Sequence, residues 1–150
     1  MNRQDAKTPR EPGVELDRLA TEIVDAAFAV HSTLGPGLLE SVYEVCLAHE
    51  LKKRGRIVER QKALPVIYDG VRIEAGLRLD LVVNALVIVE VKAVEALLPV
   101  HKAQVLTYLK LSGHQLGLLI NFHVPLIKEG IKRIISSSSL ASWRLGGSNL

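Results

Sequence analysis

The order of periodicities along the chain predicts an α/β domain, bordering on α+β, in which helices flank a central mixed sheet that contains an antiparallel hairpin. Three observations carry this expectation. Apolar residues recur at spacings of three and four through two consecutive segments between Val14 and Arg54. At Arg56 the pattern switches to short extended runs, and a helical segment opened by Pro99 then leads into a compact aliphatic run at 116–122.

In the first segment, Leu16, Leu19, Ile23, Ala26, Ala27, Val30 and Leu34 form one apolar stripe of an amphipathic helix, which the sequence GPG at 35–37 ends. A second helix is expected from Leu38 to about Arg54, with Leu39, Val42, Cys46, Leu47 and Leu51 on its apolar face and Gly55 as its stop. The runs IVERQ, ALPVIYDG and VRIEA read as strands, Asp69 and Gly70 supplying turn chemistry between the last two. Pro99 suits the first turn of a helix that runs to about Leu111 and is closed by Gly113. A strand follows at 116–122, and 131–135 is a last short strand or helical turn.

Residues 1–12 are polar and read as a disordered tail, and the Ser- and Gly-rich 136–150 as a flexible C-terminal tail, which leaves one domain at 14–135. Its size is typical of a single core. The 48% hydrophobic and 23% charged content excludes general disorder, and every aliphatic run is broken too early for a transmembrane helix. The N-terminal residues lack the apolar segment of a secretory signal, and the single cysteine, Cys46, fits a reducing cytoplasm and reads as a small core residue. Net charge is +3, which permits a polyanionic partner without requiring one. Lys52, Lys53, Arg54, Arg56, Arg60 and Lys62 cluster, and Lys128, Lys132 and Arg133 form a second group. Both are readable as a solvated surface or as a nucleic-acid contact.

The stretch LRLDLVVNALVIVEVKAV, residues 77–94, places Asp80, Glu90 and Lys92 inside what should be core strands, where unpaired charges are costly. A two-residue turn would bury charge on both faces of this hairpin. A three-residue loop, Asn84 to Leu86, pairs Val83 with Val87 and Asp80 with Glu90, Asn84 tolerating left-handed backbone angles. One face then carries Leu77, Leu79, Leu81, Val83, Val87, Val89 and Val91, and the other Arg78, Asp80, Val82, Ile88, Glu90 and Lys92. Opposed carboxylates repel each other. A divalent cation between them, Mg²⁺ or Mn²⁺, would relieve the repulsion, with Lys92 placed to orient water or stabilise negative charge on a phosphate. A salt-bridge network of Lys92 and Arg78 with the two acids is the competing reading.

Asp80, Glu90, Val91 and Lys92 resemble the D-(x)n-(D/E)-x-K signature of the PD-(D/E)XK phosphodiesterase superfamily, with Leu79 where the name has proline. GLLESVY, residues 37–43, resembles the GxxExxY motif of a family within it. Gln104 and Tyr108 match a Q-x-x-x-Y helix motif, and GLLINF, residues 117–122, is similar to the closing strand. The similarity runs over about residues 20–135. It implies a restriction-endonuclease-like core and a Mg²⁺- or Mn²⁺-dependent nuclease that hydrolyses phosphodiester bonds of nucleic acid, DNA in preference to RNA.

Carried over residue by residue, the resemblance makes Asp80, Glu90 and Glu40 metal ligands and Lys92 the catalytic lysine. Glu40 and Gln104 would serve catalysis, with Tyr43, Tyr108, His101 and Arg78 lining the site. The plainer reading of the helix residues is a helix cap and an amphipathic core tyrosine. No pair of histidines has zinc-ligand spacing. Two alternatives stay open beside the enzyme: a non-catalytic module of the same fold that binds nucleic acid or protein, and a subunit working beside a partner protein or as a homodimer. No membrane association is expected.

Overall fold

The structure, a computed structural model, describes residues 12–136. The expected tails at 1–12 and 136–150 lie outside these residues except at Pro12 and Ser136. Pro12 opens the first helix, two residues before the expected start. Ser136 is buried, and its amide N–H donates to the Gln115 carbonyl at 3.0 Å. Among the described residues the order is α1 (Pro12–Leu34), α2 (Glu40–Lys53), β1 (Val58–Ala63), β2 (Val66–Tyr68), β3 (Val71–Ile73), β4 (Arg78–Val83), β5 (Val87–Lys92), α3 (Pro99–Ser112), β6 (Leu116–Asn121), a 3₁₀ turn (Ile127–Gly130) and β7 (Ile131–Ile135).

Five strands form one sheet in the order β1-β4-β5-β6-β7, while β2 and β3 pair only with each other. The β5–β6 pair is parallel and the other pairs are antiparallel. A parallel pair needs a crossover connection, and α3 is that crossover. The sheet is mixed and carries helices on both faces, the arrangement expected from the periodicities. Ile23, Ala26 and Ala27 of α1 and Leu47 and Leu51 of α2 pack with Leu81, Val83, Val87, Val89, Leu118 and Ile120 on one face. Val105 and Leu109 of α3 pack with Val82, Ile88 and Leu119 on the other. Each fully buried Leu, Val or Ile contributes roughly 1.5–3 kcal/mol relative to exposure. Gly117 lets α3 come close, since a Cβ there would stand 2.7 Å from Val105 Cγ1. The inner strand β6 is buried along its whole length, as a strand covered on both faces must be.

The hairpin register agrees with the alternation: Val83 pairs with Val87, Val82 with Ile88 and Leu81 with Val89, across a three-residue loop. Asn84 is left-handed as expected, at φ 52, but so is Ala85, at φ 54. Leu86 N–H donates to the Val83 carbonyl at 2.9 Å, closing a tight turn whose two central residues both need positive φ. Asn84 Oδ1 also accepts the Ile57 N–H at 2.8 Å, which fastens the loop to the entry of β1.

The expected single aliphatic face is corrected at one end. Leu77 and Leu79 pack with the α3-side cluster rather than with Leu81 and Val83. Regular pairing on both sides of β4 is interrupted at Asp80, so strict alternation does not carry across that residue.

Tyr43, a candidate for lining the site, has a fully buried ring that stacks on Phe122 with centroids 4.6 Å apart. Its hydroxyl accepts the Leu38 N–H at 3.0 Å and donates to the Gly35 carbonyl at 2.5 Å. Tyr43 shares the inward side of α2 with Leu47 and Leu51, while Glu40 and Glu44 lie on its flank, following the 3.6-residue turn. The motif tyrosine therefore pins the GPG turn and with it the start of α2. Tyr43→Phe leaves the part-buried Leu38 N–H and Gly35 carbonyl without this partner and is expected to cost about 1 kcal/mol in urea unfolding. An unchanged unfolding free energy would refute that role.

Candidate active site

Beyond Leu81↔Val89 the next antiparallel pair would be Asp80 and Glu90. Side chains replace the ladder there. Asp80 N–H donates to Glu90 Oε2 at 3.1 Å, and Val91 N–H donates to Asp80 Oδ2 at 2.9 Å. On the opposite edge of β4, pairing runs from Arg60↔Leu81 to Lys62↔Leu79 and skips Gln61, whose φ is 51. Gln61 Nε2 donates to Glu44 Oε1 at 2.9 Å, to Glu44 Oε2 at 3.1 Å and to Asp80 Oδ1 at 3.3 Å. Glu44, on α2, is buried and also pairs with Arg60 Nη2 at 3.1 Å. Three carboxylates from a helix and two strands are thus assembled where both ladders open.

Burial raises the pKa of the two strand acids, Asp80 and Glu90. Glu90 is 3% exposed; its carboxyl is pushed up to about 8, first by burial and then by the charge of Asp80. Asp80 is raised by burial and by Glu44, against the opposing pull of the Val91 and Gln61 hydrogen bonds. Lys92 favours the charged form of both acids through space. Among the described residues neither Lys92 nor Arg78 makes an ion pair with them, so the expected salt-bridge alternative is not what the side chains form.

The remaining candidates divide. Glu40 is exposed at the start of α2, and its Oε2 accepts the Ala93 N–H at 3.2 Å, which brings it to the residue after Lys92. Tyr108 stands near the acids: its hydroxyl is raised by burial and then by the charges of Glu90 and Asp80. Gln104, one turn earlier on α3, is exposed. His101 is committed elsewhere, its Nδ1 accepting the Leu98 N–H at 2.9 Å at the helix start, and Arg78 is exposed at the beginning of β4. The basic cluster is largely paired with acids: Lys53 and Arg54 with Glu50, Arg56 with Glu22, Arg60 with Glu44 and Lys62 with Glu59. From the second group, Arg133 pairs with Asp17.

The family model of the PD-(D/E)XK nuclease superfamily matches residues 17–134. The chain belongs to this superfamily. No curated protein and no solved structure matched it. PD-(D/E)XK nucleases generally use divalent metal ions, and carboxylates are the donors such ions take. Asp80, half-buried, and Glu90, buried, are adjacent hard oxygen donors of like charge, and Mg²⁺ is commonly held by one or two carboxylates with waters and substrate phosphate completing its shell. Among the described residues no group of three or more His, Cys, Asp or Glu side chains is arranged to hold a metal ion, so the two carboxylates are the protein donors in question.

Three residues around this candidate site are not among those singled out in the sequence. Glu44 had a signal, since it follows Glu40 by four positions and so shares its flank of α2. Gln61 had none, because nothing in ERQKA marks a left-handed residue inside a strand. Asn121 sits opposite Lys92 in the parallel ladder, is 2% exposed, and clamps Val94 from both sides: Oδ1 accepts its N–H at 3.0 Å and Nδ2 donates to its carbonyl at 2.9 Å.

The raised carboxyls make metal-free stability depend on pH. Glu90 binds its proton more tightly folded than unfolded, so its contribution is fully present below its ordinary value of 4.5 and is lost as pH rises towards about 8. In EDTA, urea unfolding should therefore show stability falling from pH 5 to pH 8, with a slope of up to about 1.4 kcal/mol per pH unit for one proton. Glu90→Gln should flatten that slope, and a wild-type slope in the variant would contradict the assignment.

Proposed function

We propose that the chain is a divalent-metal-dependent nuclease of the GxxExxY branch that hydrolyses phosphodiester bonds of nucleic acid, with DNA preferred to RNA. The observation that carries this reading is the juxtaposed Asp80–Glu90 pair, set where the hairpin ladder opens and accompanied by Lys92, which lies on the strand of Glu90 and makes no ion pair among the described residues. Superfamily membership supports the reaction class.

In this reading Asp80 and Glu90 hold Mg²⁺ or Mn²⁺, with Glu44 and Glu40 adding negative charge from α2. The bound ion would supply an activated water and would offset charge on the phosphate oxygens. Lys92 donates from Nζ to a phosphate oxygen as negative charge develops there, in a site partly shielded from water. Asn121 keeps the segment after Lys92 in place through Val94. Tyr108 borders the acids from α3, and the exposed amide of Gln104 is free to meet the sugar-phosphate backbone. His101 and Tyr43 serve as supports, the first for the start of α3 and the second for the start of α2. Arg78, exposed and without an ion pair among the described residues, offers a phosphate contact two residues before Asp80. A second copy or a partner protein would be needed to cut two strands together, and a cytoplasmic setting suits the free thiol of Cys46.

Purified protein incubated with plasmid, single-stranded DNA and RNA in Mg²⁺ or Mn²⁺ tests the reading. Cleavage is expected, reduced about 10²–10³-fold in Lys92→Ala, which keeps metal binding, and abolished with metal binding in Asp80→Ala. Substrates bound but left intact by the metal-loaded wild type would favour the non-catalytic module. Intact substrates together with absent metal binding would overturn the proposal.

A further inference from the structure

Gln61 is in the middle of β1, where side chains usually favour extended backbone, yet it adopts the left-handed conformation at φ 51. Only Gly, and to a lesser degree Asn and Asp, enters that region readily, so a glutamine held there carries backbone strain that its surroundings must enforce. The surroundings are visible. Its neighbours Arg60 and Lys62 remain paired with Leu81 and Leu79 in an unshifted register, so the distortion is confined to one residue.

That residue faces Asp80 across the interrupted ladder, and its side-chain amide reaches both oxygens of Glu44 and one of Asp80. The three acceptors are carboxylate oxygens, so the nitrogen of the amide must point at them. An oxygen in that place would repel all three. Arg60 approaches Glu44 from the preceding position, but its bonds go to Oε2, whereas Gln61 alone spans from α2 to β4 among the hydrogen bonds of the described residues.

We infer that Gln61 is a positioning residue: its strained backbone aims one amide between Glu44 and Asp80, fixing the helix acid against the strand acid so that the pair can serve a divalent cation. The inference rests on the metal-dependent reading above. The neutral amide suits this task because it donates to two carboxylates without supplying a charge that would compete with the ion. Outer residues that orient ligands in this way typically change metal affinity 10- to 100-fold when removed.

Strain and positioning make opposite demands, and that provides the test. Gln61→Gly relieves the left-handed cost and deletes the amide. Gln61→Asn tolerates the same backbone but is one methylene shorter and cannot span both acids. Calorimetric titration of each metal-free protein with Mn²⁺ and thermal unfolding in EDTA are measured together. The expected result for both variants is Mn²⁺ affinity lowered at least tenfold while the metal-free melting temperature stays at or above that of the wild type. Wild-type Mn²⁺ affinity in both variants would overturn the inference alone, as would a lowered melting temperature with affinity unchanged, the signature of a purely structural strand residue. Wild-type protein that takes up no Mn²⁺ would instead overturn the metal-dependent reading and the inference with it.

Discussion

Two crossed hydrogen bonds hold the centre of this molecule: Asp80 N–H to Glu90 Oε2, and Val91 N–H to Asp80 Oδ2. They take the place of a regular ladder pair and keep a half-buried and a buried carboxylate side by side, although burial and the charge of neighbouring acids both oppose their ionisation. Without compensation the site would favour protonation. The surrounding structure is arranged to tolerate this cost: aliphatic layers on both faces of the sheet lock β4 and β5, and the amides of the opened strands satisfy the acids.

The elements around the pair each settle one degree of freedom. Tyr43, stacked on Phe122 and bonded to both sides of the GPG turn, sets where α2 begins and so where Glu40 and Glu44 lie. Asn121 fixes the chain just beyond Lys92, and Gly130 makes room for it, since a Cβ there would come within 2.1 Å of the Asn121 carbonyl oxygen. Residues that the superfamily motifs single out and residues that no motif mentions are thus parts of one support. The same packing that stabilises the domain gives the acids their shared position.

Much of this was legible in the sequence because period-two alternation is unambiguous when one face must be aliphatic. The register, the three-residue loop and the juxtaposition of Asp80 with Glu90 all follow from it. The alternation failed at Leu77 and Leu79 because it assumes an unbroken ladder, and the ladder is interrupted at the very acids in question. Motif spacing singled out Glu40, whose carboxylate meets the Ala93 N–H just beyond Lys92. It could not say that Tyr43 turns inward, because side chains three apart on a helix diverge enough for one to face the core and the other its rim. Glu44 was readable as a helix neighbour of Glu40. Gln61 was not, since its role depends on a backbone angle that tertiary contacts impose against local preference.

If the crossed carboxylates are a metal centre, a cation must be able to replace the amide partners that now satisfy them. A crystal structure of the protein soaked in Mn²⁺, with anomalous scattering locating the ion, tests this most directly. The account predicts an anomalous peak between the Asp80 and Glu90 carboxylates, with Glu44 oriented towards it and Lys92 on the same side. A peak only elsewhere on the surface, with both crossed hydrogen bonds unchanged, would contradict it.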